Sequence, residues 1–316
     1  MKNKENVITA YIALALVCII WGTTYLALRV AVTNFPPFIF SSIRQIIAGI
    51  ILLLIIKFYL KENWPAKKVW LAQAFAGLLM ITFGNGLVAW GELYVNSGLA
   101  SIICSIMPIW VLIINLFISS AEKPTWQTIL GITLGLVGIV LIFGQDLAGF
   151  NEQNYTLGIV AIVIANISWA YASIWVKKHH QTSSPFSNAA IQMICGGVML
   201  GVLSPVVDDY ATIHWNEAFF YSMVYLIVFG SLVAYTCYAY AIKHLPMTLV
   251  SMYAYINPLV AVFLGWIWLN EEITNSTVLA MFITLVGIYL VNYDQQRKLR
   301  LSKTINNQKE KMEYAE

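Results

Sequence analysis

Arg44 is the residue whose chemistry its surroundings least explain. It lies about seven residues into the apolar run 38–57, which in a helix is roughly 10 Å below the boundary at 1.5 Å per residue. A guanidinium facing lipid at that depth is costly, so it must face a cavity or a partner. Two roles fit. One is a seat for a substrate carboxylate, which the planar fork can grip through two parallel hydrogen bonds. The other is a structural ion pair, or snorkelling of the long side chain toward the near surface. Gln192 stands at the equivalent place later in the chain and is neutral, so any charge recognition is one-sided.

Glu92, within Gly91-Glu92-Leu93-Tyr94, follows another apolar run. Its position favours a solvated carboxylate at a helix end. The chemistry open to it besides is pairing with Arg44 or Arg29 as a gate, or taking up a proton. Pro108 and Pro258 fall near the middle of two further runs. Each deletes a backbone hydrogen bond, and in lipid the freed carbonyl must find a partner or line a cavity. Polar side chains at helical spacing accompany both prolines: Ser101 and Ser105 in one case, Ser251 and Tyr255 in the other. Asn257 and Tyr253 lie on the same stretch. The expectation is a hinge and a binding site, with kinked small-residue packing as the plainer alternative. Trp21, Tyr25, Asn85, Trp169 and Tyr238 lie within runs too. Aromatics mixed with amides suit a small amphipathic molecule, although each alone also serves as packing or an interfacial anchor. Trp64, Trp266 and Trp268 read as anchors.

The elements that must hold these residues follow from composition. The chain has 316 residues, 59% hydrophobic and 10% charged, with mean hydropathy +0.74. Soluble domains carry about 25% charged residues. A membrane-crossing helix needs roughly 20 apolar residues, and ten segments come near that: 9–29, 38–57, 69–90, 98–119, 125–143, 157–176, 186–207, 219–242, 247–269 and 273–291. The expected fold is therefore an all-α integral membrane protein with ten transmembrane helices. Residues 1–8 precede the first helix, and the polar tail 293–316 is expected to be disordered.

With the N-terminus placed in the cytoplasm, the ten-helix path puts every Lys and Arg on the cytoplasmic side except Arg29 and Arg44. The opposite side holds Glu92, Asp146, Glu152, Asp208, Asp209, Glu217, Glu271 and Glu272 and no lysine. That bias is the positive-inside pattern. A shift of 148 lays Trp21 on Trp169, Arg44 on Gln192 and Gly49 on Gly197. Shifts of 150 and 149 lay Ser101 on Ser251, Pro108 on Pro258 and Leu136-Val137-Gly138-Ile139 on Leu285-Val286-Gly287-Ile288. Five helices per half is an odd number, so the second half, 155–292, runs inverted to the first, 9–145. Inverted repeats are a common construction of secondary transporters.

The run Ser97-Gly98-Leu99-Ala100-Ser101, then Pro108, Glu122 and the glycine-rich stretch Gly131 to Gly138, resembles the EamA domain of the drug/metabolite transporter superfamily. Ser251, Pro258, Glu271-Glu272 and Gly287 repeat the pattern, and Trp21-Gly22 fits it. The likeness spans residues 9–292 as two tandem domains. It implies ten helices, both termini cytoplasmic in a bacterial inner membrane, and a central cavity that moves metabolites, amino acids or toxic compounds, commonly outward. Glu92 departs from the small or apolar residue usual at its place and resembles one bacterial subgroup. The resemblance and the residues together nominate Arg44, Trp21, Tyr25, Asn85, Ser101, Trp169, Gln192, Tyr238, Tyr253 and Asn257 as substrate-binding. They nominate Pro108 and Pro258 as hinges and Glu92 as gate or proton-coupling residue.

Other classes fit less well. Cys18, Cys104, Cys195 and Cys237 lie in apolar runs with no metal-ligand spacing, so no metal or other cofactor is expected. His179, His180, His214 and His244 fall in loops or at helix ends, which disfavours a membrane-embedded enzyme. No selectivity-filter or ATP-binding motif appears. The expected partners are a small-molecule substrate and the lipid bilayer, not nucleic acid. No motif specifies the substrate, its direction, a coupling ion or an oligomeric state.

Overall fold

The computed structural model describes residues 2–33, 35–95, 97–118, 124–143, 153–179, 183–269 and 275–313. Glu122, Lys123, Asp146, Glu152, His180, Glu271 and Glu272 lie outside them. Among the described residues fourteen α-helices follow one another. The first half holds α1 (Lys2–Val32), α2 (Pro37–Leu54), α3 (Lys67–Gly77), α4 (Gly86–Gly91), α5 (Ser97–Cys104), α6 (Met107–Ile118) and α7 (Trp126–Phe143). The second holds α8 (Gln153–His179), α9 (Pro185–Val207), α10 (Glu217–Tyr225), α11 (Ala234–His244), α12 (Met247–Val250), α13 (Tyr253–Leu269) and α14 (Asn275–Glu313). Among the described residues nine helical stretches are long and apolar enough to cross a membrane, while the apolar part of α7, Trp126–Leu141, is shorter. The protein is an all-α integral membrane protein.

Several helices join into one crossing. α3 and α4 are continuous through the π-helical turns Leu78–Asn85, and α10 and α11 through Leu226–Val233. These two π segments are 148 positions apart at both ends, so the duplication extends to a rare backbone form that tends to occur at functional sites.

The repeat mates α2 and α9 pack antiparallel. Asp208, just past α9, accepts the Phe38 and Ile39 amides that open α2, at 3.1 and 2.7 Å. At the other end Glu62, beyond α2, accepts the hydroxyls of Ser184 and Ser187 at the start of α9, both at 2.9 Å. Each helix begins with a proline, whose missing amide N–H costs nothing there. An acid from beyond its neighbour's C-terminus then attends each start, where the helix dipole favours negative charge. Between these ends the contacts are also reciprocal. A Cβ added to Gly49 would meet Ile194, and one added to Gly197 would meet Ile46, the same pair under the 148 shift.

α7 and α14 form the second antiparallel pair of mates. Gly287 lies against the Gly131 carbonyl and Gly138 against the Ala280 carbonyl, close approaches that only glycine allows. Because mates run in opposite directions, the two halves are inverted relative to one another. α14 does not end near residue 292 but continues to Glu313. Its tail is rich in helix-forming Gln, Lys, Arg, Leu and Glu. Asp294 is buried, accepts the Thr128 hydroxyl at 2.7 Å and pairs with Lys298 one turn on at 3.7 Å.

Candidate functional site

Where the halves meet, a cavity of about 100 Å³ opens. One water needs roughly 10–15 Å³ on such a measure, so the space suits a small solute. Its wall includes Arg44 and Gln45 from α2, Gly84 and Asn85 from the first π segment, and Leu226 and Gly230 from the second. α1 supplies Trp21 and Tyr25, α8 supplies Asn166 and Trp169, and α13 supplies Tyr253 and Asn257. Of the ten nominated binding residues, Arg44, Trp21, Tyr25, Asn85, Trp169, Tyr253 and Asn257 line it.

Trp21 and Trp169 form its floor. They are repeat mates, yet their rings touch each other edge to face at 5.6 Å. Two mates can touch only beside the pseudo-twofold axis, which locates the cavity on that axis. Trp21 also meets Tyr253 and Tyr238, each at 5.0 Å, and its indole N–H donates to the Gly230 carbonyl at 3.0 Å. The second π segment thus presents a main-chain acceptor at the site. Asn257, with its amide nitrogen turned to donate, reaches the carbonyls of Cys18 and Tyr253 at 3.0 Å. Gly22 lets α1 approach α13, since a Cβ there would strike Val260.

The wall above this floor is polar and incompletely bonded. Arg44 is 6% exposed and its Nε has no hydrogen-bond partner. Gln45 is 1% exposed with Oε1 unpartnered. Buried polar atoms in native proteins are overwhelmingly bonded, so two unbonded ones on residues that line a cavity mark side chains with bonding capacity to spare. Gln45 was not among the nominated residues. Its signal is a polar amide next to Arg44, the last polar residue of α2 before an unbroken apolar stretch.

Glu92 is not the solvated carboxylate its position favoured. It caps α4 and is fully buried, and neither side-chain oxygen has a hydrogen-bond partner. A helix C-terminus is itself negative, which adds a further cost. The cations acting on it are Arg29, whose Nη1 is likewise unbonded, and Arg44. The buried guanidinium of Arg44, the half-buried one of Arg29 and the Glu92 carboxylate therefore share the region with Arg44 Nε, Arg29 Nη1 and both Glu92 oxygens unbonded.

Three nominated residues lie elsewhere. Ser101 is buried between helices, and its carbonyl accepts the Ser105 amide and hydroxyl at 2.9 and 2.7 Å. Gln192 bonds Gln73 and Tyr235 beneath the cavity. Tyr238 stands behind the tryptophans, accepting from Trp169 Nε1 and sharing a hydrogen bond with Ser173, both at 2.9 Å.

The prolines do not break their helices alike. Pro108 is the second residue of α6, directly after a break at Ser105 and Ile106, whereas Pro258 lies inside the continuous α13. The break of the second half comes at Ser251 and Met252, one turn earlier than the repeat would place it. The reason is a hydrogen bond. The carbonyl freed by Pro258 belongs to Ala254, and the single Ser105 hydroxyl proton is shared between it at 2.9 Å and the Ser101 carbonyl at 2.7 Å. In the first half, the broken turn leaves the Ile103 carbonyl to accept Asn166 Nδ2 at 2.8 Å.

Comparison with known proteins agrees with this architecture. The model of the EamA-like transporter family matches residues 8–144 and again 156–293. The uncharacterized inner membrane transporter YedA of Escherichia coli (strain K12) is 32% identical over 281 residues, covering 88% of this chain and 89% of its own. The uncharacterized transporter YoaV of Bacillus subtilis (strain 168) is 26% identical over 286 residues, covering 89% and 96%. One crystal structure superposes with a TM-score of 0.74 at 15% identity, over 93% of this chain and 98% of the other, which is a likeness of fold. Transport, rather than an enzymatic reaction, is what these relatives are named for, and this multi-pass membrane chain belongs to the EamA-like transporter family.

Proposed function

We propose that this transporter is a secondary carrier that exports a small carboxylate-bearing metabolite, such as an amino acid or a related amphipathic compound, by alternating access through the central cavity. The observation that carries the reading is Arg44, a buried guanidinium with an unbonded Nε at the wall of a small, partly aromatic cavity. The carboxylate seats on Arg44 beside Gln45, and the apolar body lies over Trp21, Trp169 and Tyr253. Inverted repeats supply two conformations of similar energy, one open to each face.

Glu92 competes with the substrate for Arg44. When the substrate carboxylate holds Arg44, Glu92 keeps only Arg29 as a counter-charge in a low-dielectric place, and uptake of a proton relieves that cost. This assigns proton coupling to Glu92. The lysine-rich end faces the cytoplasm of a bacterial inner membrane, with both termini there.

A thermal-shift screen of purified protein against carboxylate metabolites, with hits retested for flux in proteoliposomes, tests the reading. Stabilisation and flux by a carboxylate, absent for its amide, is the expected result. Equal transport of acid and amide removes Arg44 as an anion seat. Accessibility labelling that puts residues 2 and 311 on opposite faces overturns the orientation.

A further inference from the structure

Beneath the tryptophan floor lies a second, smaller cavity of about 20 Å³, whose lining includes Asn188, Gln192, Lys177, Lys243 and Tyr238. A side-chain contact links the walls of the two cavities. Tyr235 lines the upper one and donates its hydroxyl to Gln192 Oε1. Gln192 lines the lower one and donates Nε2 to Gln73 Oε1. Beside this chain, Tyr238 lines the lower cavity and is bonded to Trp169 and Ser173.

The partition is therefore latched by hydrogen bonds between side chains of α3, α8, α9 and α11, which can be exchanged for bonds to water at small net cost. On its far side Asn188 is 5% exposed and its Oδ1 has no partner. The floor of the lower cavity is also tied, because Lys177 Nζ donates to the Ile242 and Leu245 carbonyls at the end of α11, at 2.7 and 2.5 Å.

The repeat relation gives this partition a meaning. Gln192 is the mate of Arg44, yet Arg44 lines the larger cavity and keeps its Nε without a hydrogen-bond partner, while Gln192 is bonded on both sides of its amide. The same depth of the fold is thus open in one half and shut in the other. In an inverted repeat the opposite state opens the half that is now shut. Resting on the transport reading, we propose that the Tyr235–Gln192–Gln73 chain is the gate of the transport path on the lysine-rich side. The small cavity walled by Asn188, Lys177 and Lys243 is the polar vestibule from which that gate admits the solute to be exported.

The test reads accessibility at residue 188 in the full-length protein. Asn188→Cys is exposed, from the acid-rich face, to a small membrane-impermeant thiol reagent, and modification is followed at that residue by mass spectrometry. With the gate intact the expected rate is low. Adding Tyr235→Phe, which deletes one hydroxyl, or Gln192→Leu is expected to raise it at least tenfold. Should Gln192→Leu fail to fold, Tyr235→Phe alone carries the comparison. Rapid labelling without either change, or a rate that neither change moves, overturns the gate. The measurement needs no substrate, so it separates two failures. Accelerated labelling in a protein that moves no solute supports the gate and sinks the carrier reading, whereas flux with residue 188 unaffected by the gate variants sinks the gate.

Discussion

The Ser105 hydroxyl lies 2.9 Å from the carbonyl of Ala254, the acceptor that Pro258 leaves without a helical donor, and shares its one proton between that carbonyl and the Ser101 carbonyl of its own helix at 2.7 Å. A side chain of one repeat thus repairs the backbone of the other, which lets α13 run through its proline. Removing the hydroxyl strands a buried carbonyl, at a cost of about 1–3 kcal/mol. Ser105→Ala is expected to lower the apparent Tm, and Pro258→Ala, which restores an amide N–H, is expected to cancel most of that loss. Additive effects of the two substitutions in a double-mutant cycle would show that the hydroxyl does not serve this carbonyl.

Arg44→Ala is expected to abolish or strongly reduce flux while the protein still inserts and purifies as a single species. The loss of charge-assisted hydrogen bonds weakens substrate binding by about 1.5–3 kcal/mol, roughly ten- to hundredfold. Arg44→Lys keeps the charge but not the fork, so it recovers part of the affinity. Unchanged flux of every substrate by a well-expressed Arg44→Ala protein takes this residue out of the mechanism.

Glu92→Gln keeps the shape and removes the titration. Flux by the natural protein is expected to vary with pH, and flux by Glu92→Gln to be flat over the same range. A parallel pH profile for the two proteins, measured in proteoliposomes, assigns the coupling to another group.

Asp208 accepts two amides at the start of α2 and the Ser204 hydroxyl at 2.7 Å. Asp208→Ala is expected to cost about 1–2 kcal/mol, as the loss of a helix cap does. Thermal unfolding of the purified protein reads it, and no change in Tm refutes the cap.

Gly287 and Gly201 make a contrast. A Cβ at Gly287 would lie 2.5 Å from the Gly131 carbonyl and 2.6 Å from the Gly135 amide, while one at Gly201 would meet only the Ser42 side chain, whose Oγ is 2.9 Å away. Main chain cannot yield as a hydroxyl can. Gly287→Ala is expected to cost about 1–3 kcal/mol by overpacking, and Gly201→Ala much less. Equal melting temperatures for the two would contradict the close approach of α7 and α14.

The apolar runs, the lysine bias and the repeated prolines and tryptophans were legible in the chain because membrane insertion acts on local composition. Each segment must satisfy its own backbone in lipid, so spans can be read one at a time. Arg44 was legible for the same reason, as a charge whose cost no local arrangement removes. What no local pattern carried was which polar atoms find partners. Ser101, Gln192 and Tyr238 resemble Arg44, Asn85 and Tyr253 in type and depth, but tertiary contacts consume the first set and leave the second around a cavity. The burial of Glu92, the reach of Ser105 to Ala254 and the meeting of Trp21 with Trp169 join residues more than 60 positions apart or bring separate helices together. Hydrogen bonds are satisfied in three dimensions, so only the folded chain decided which side chains were left to bind a guest.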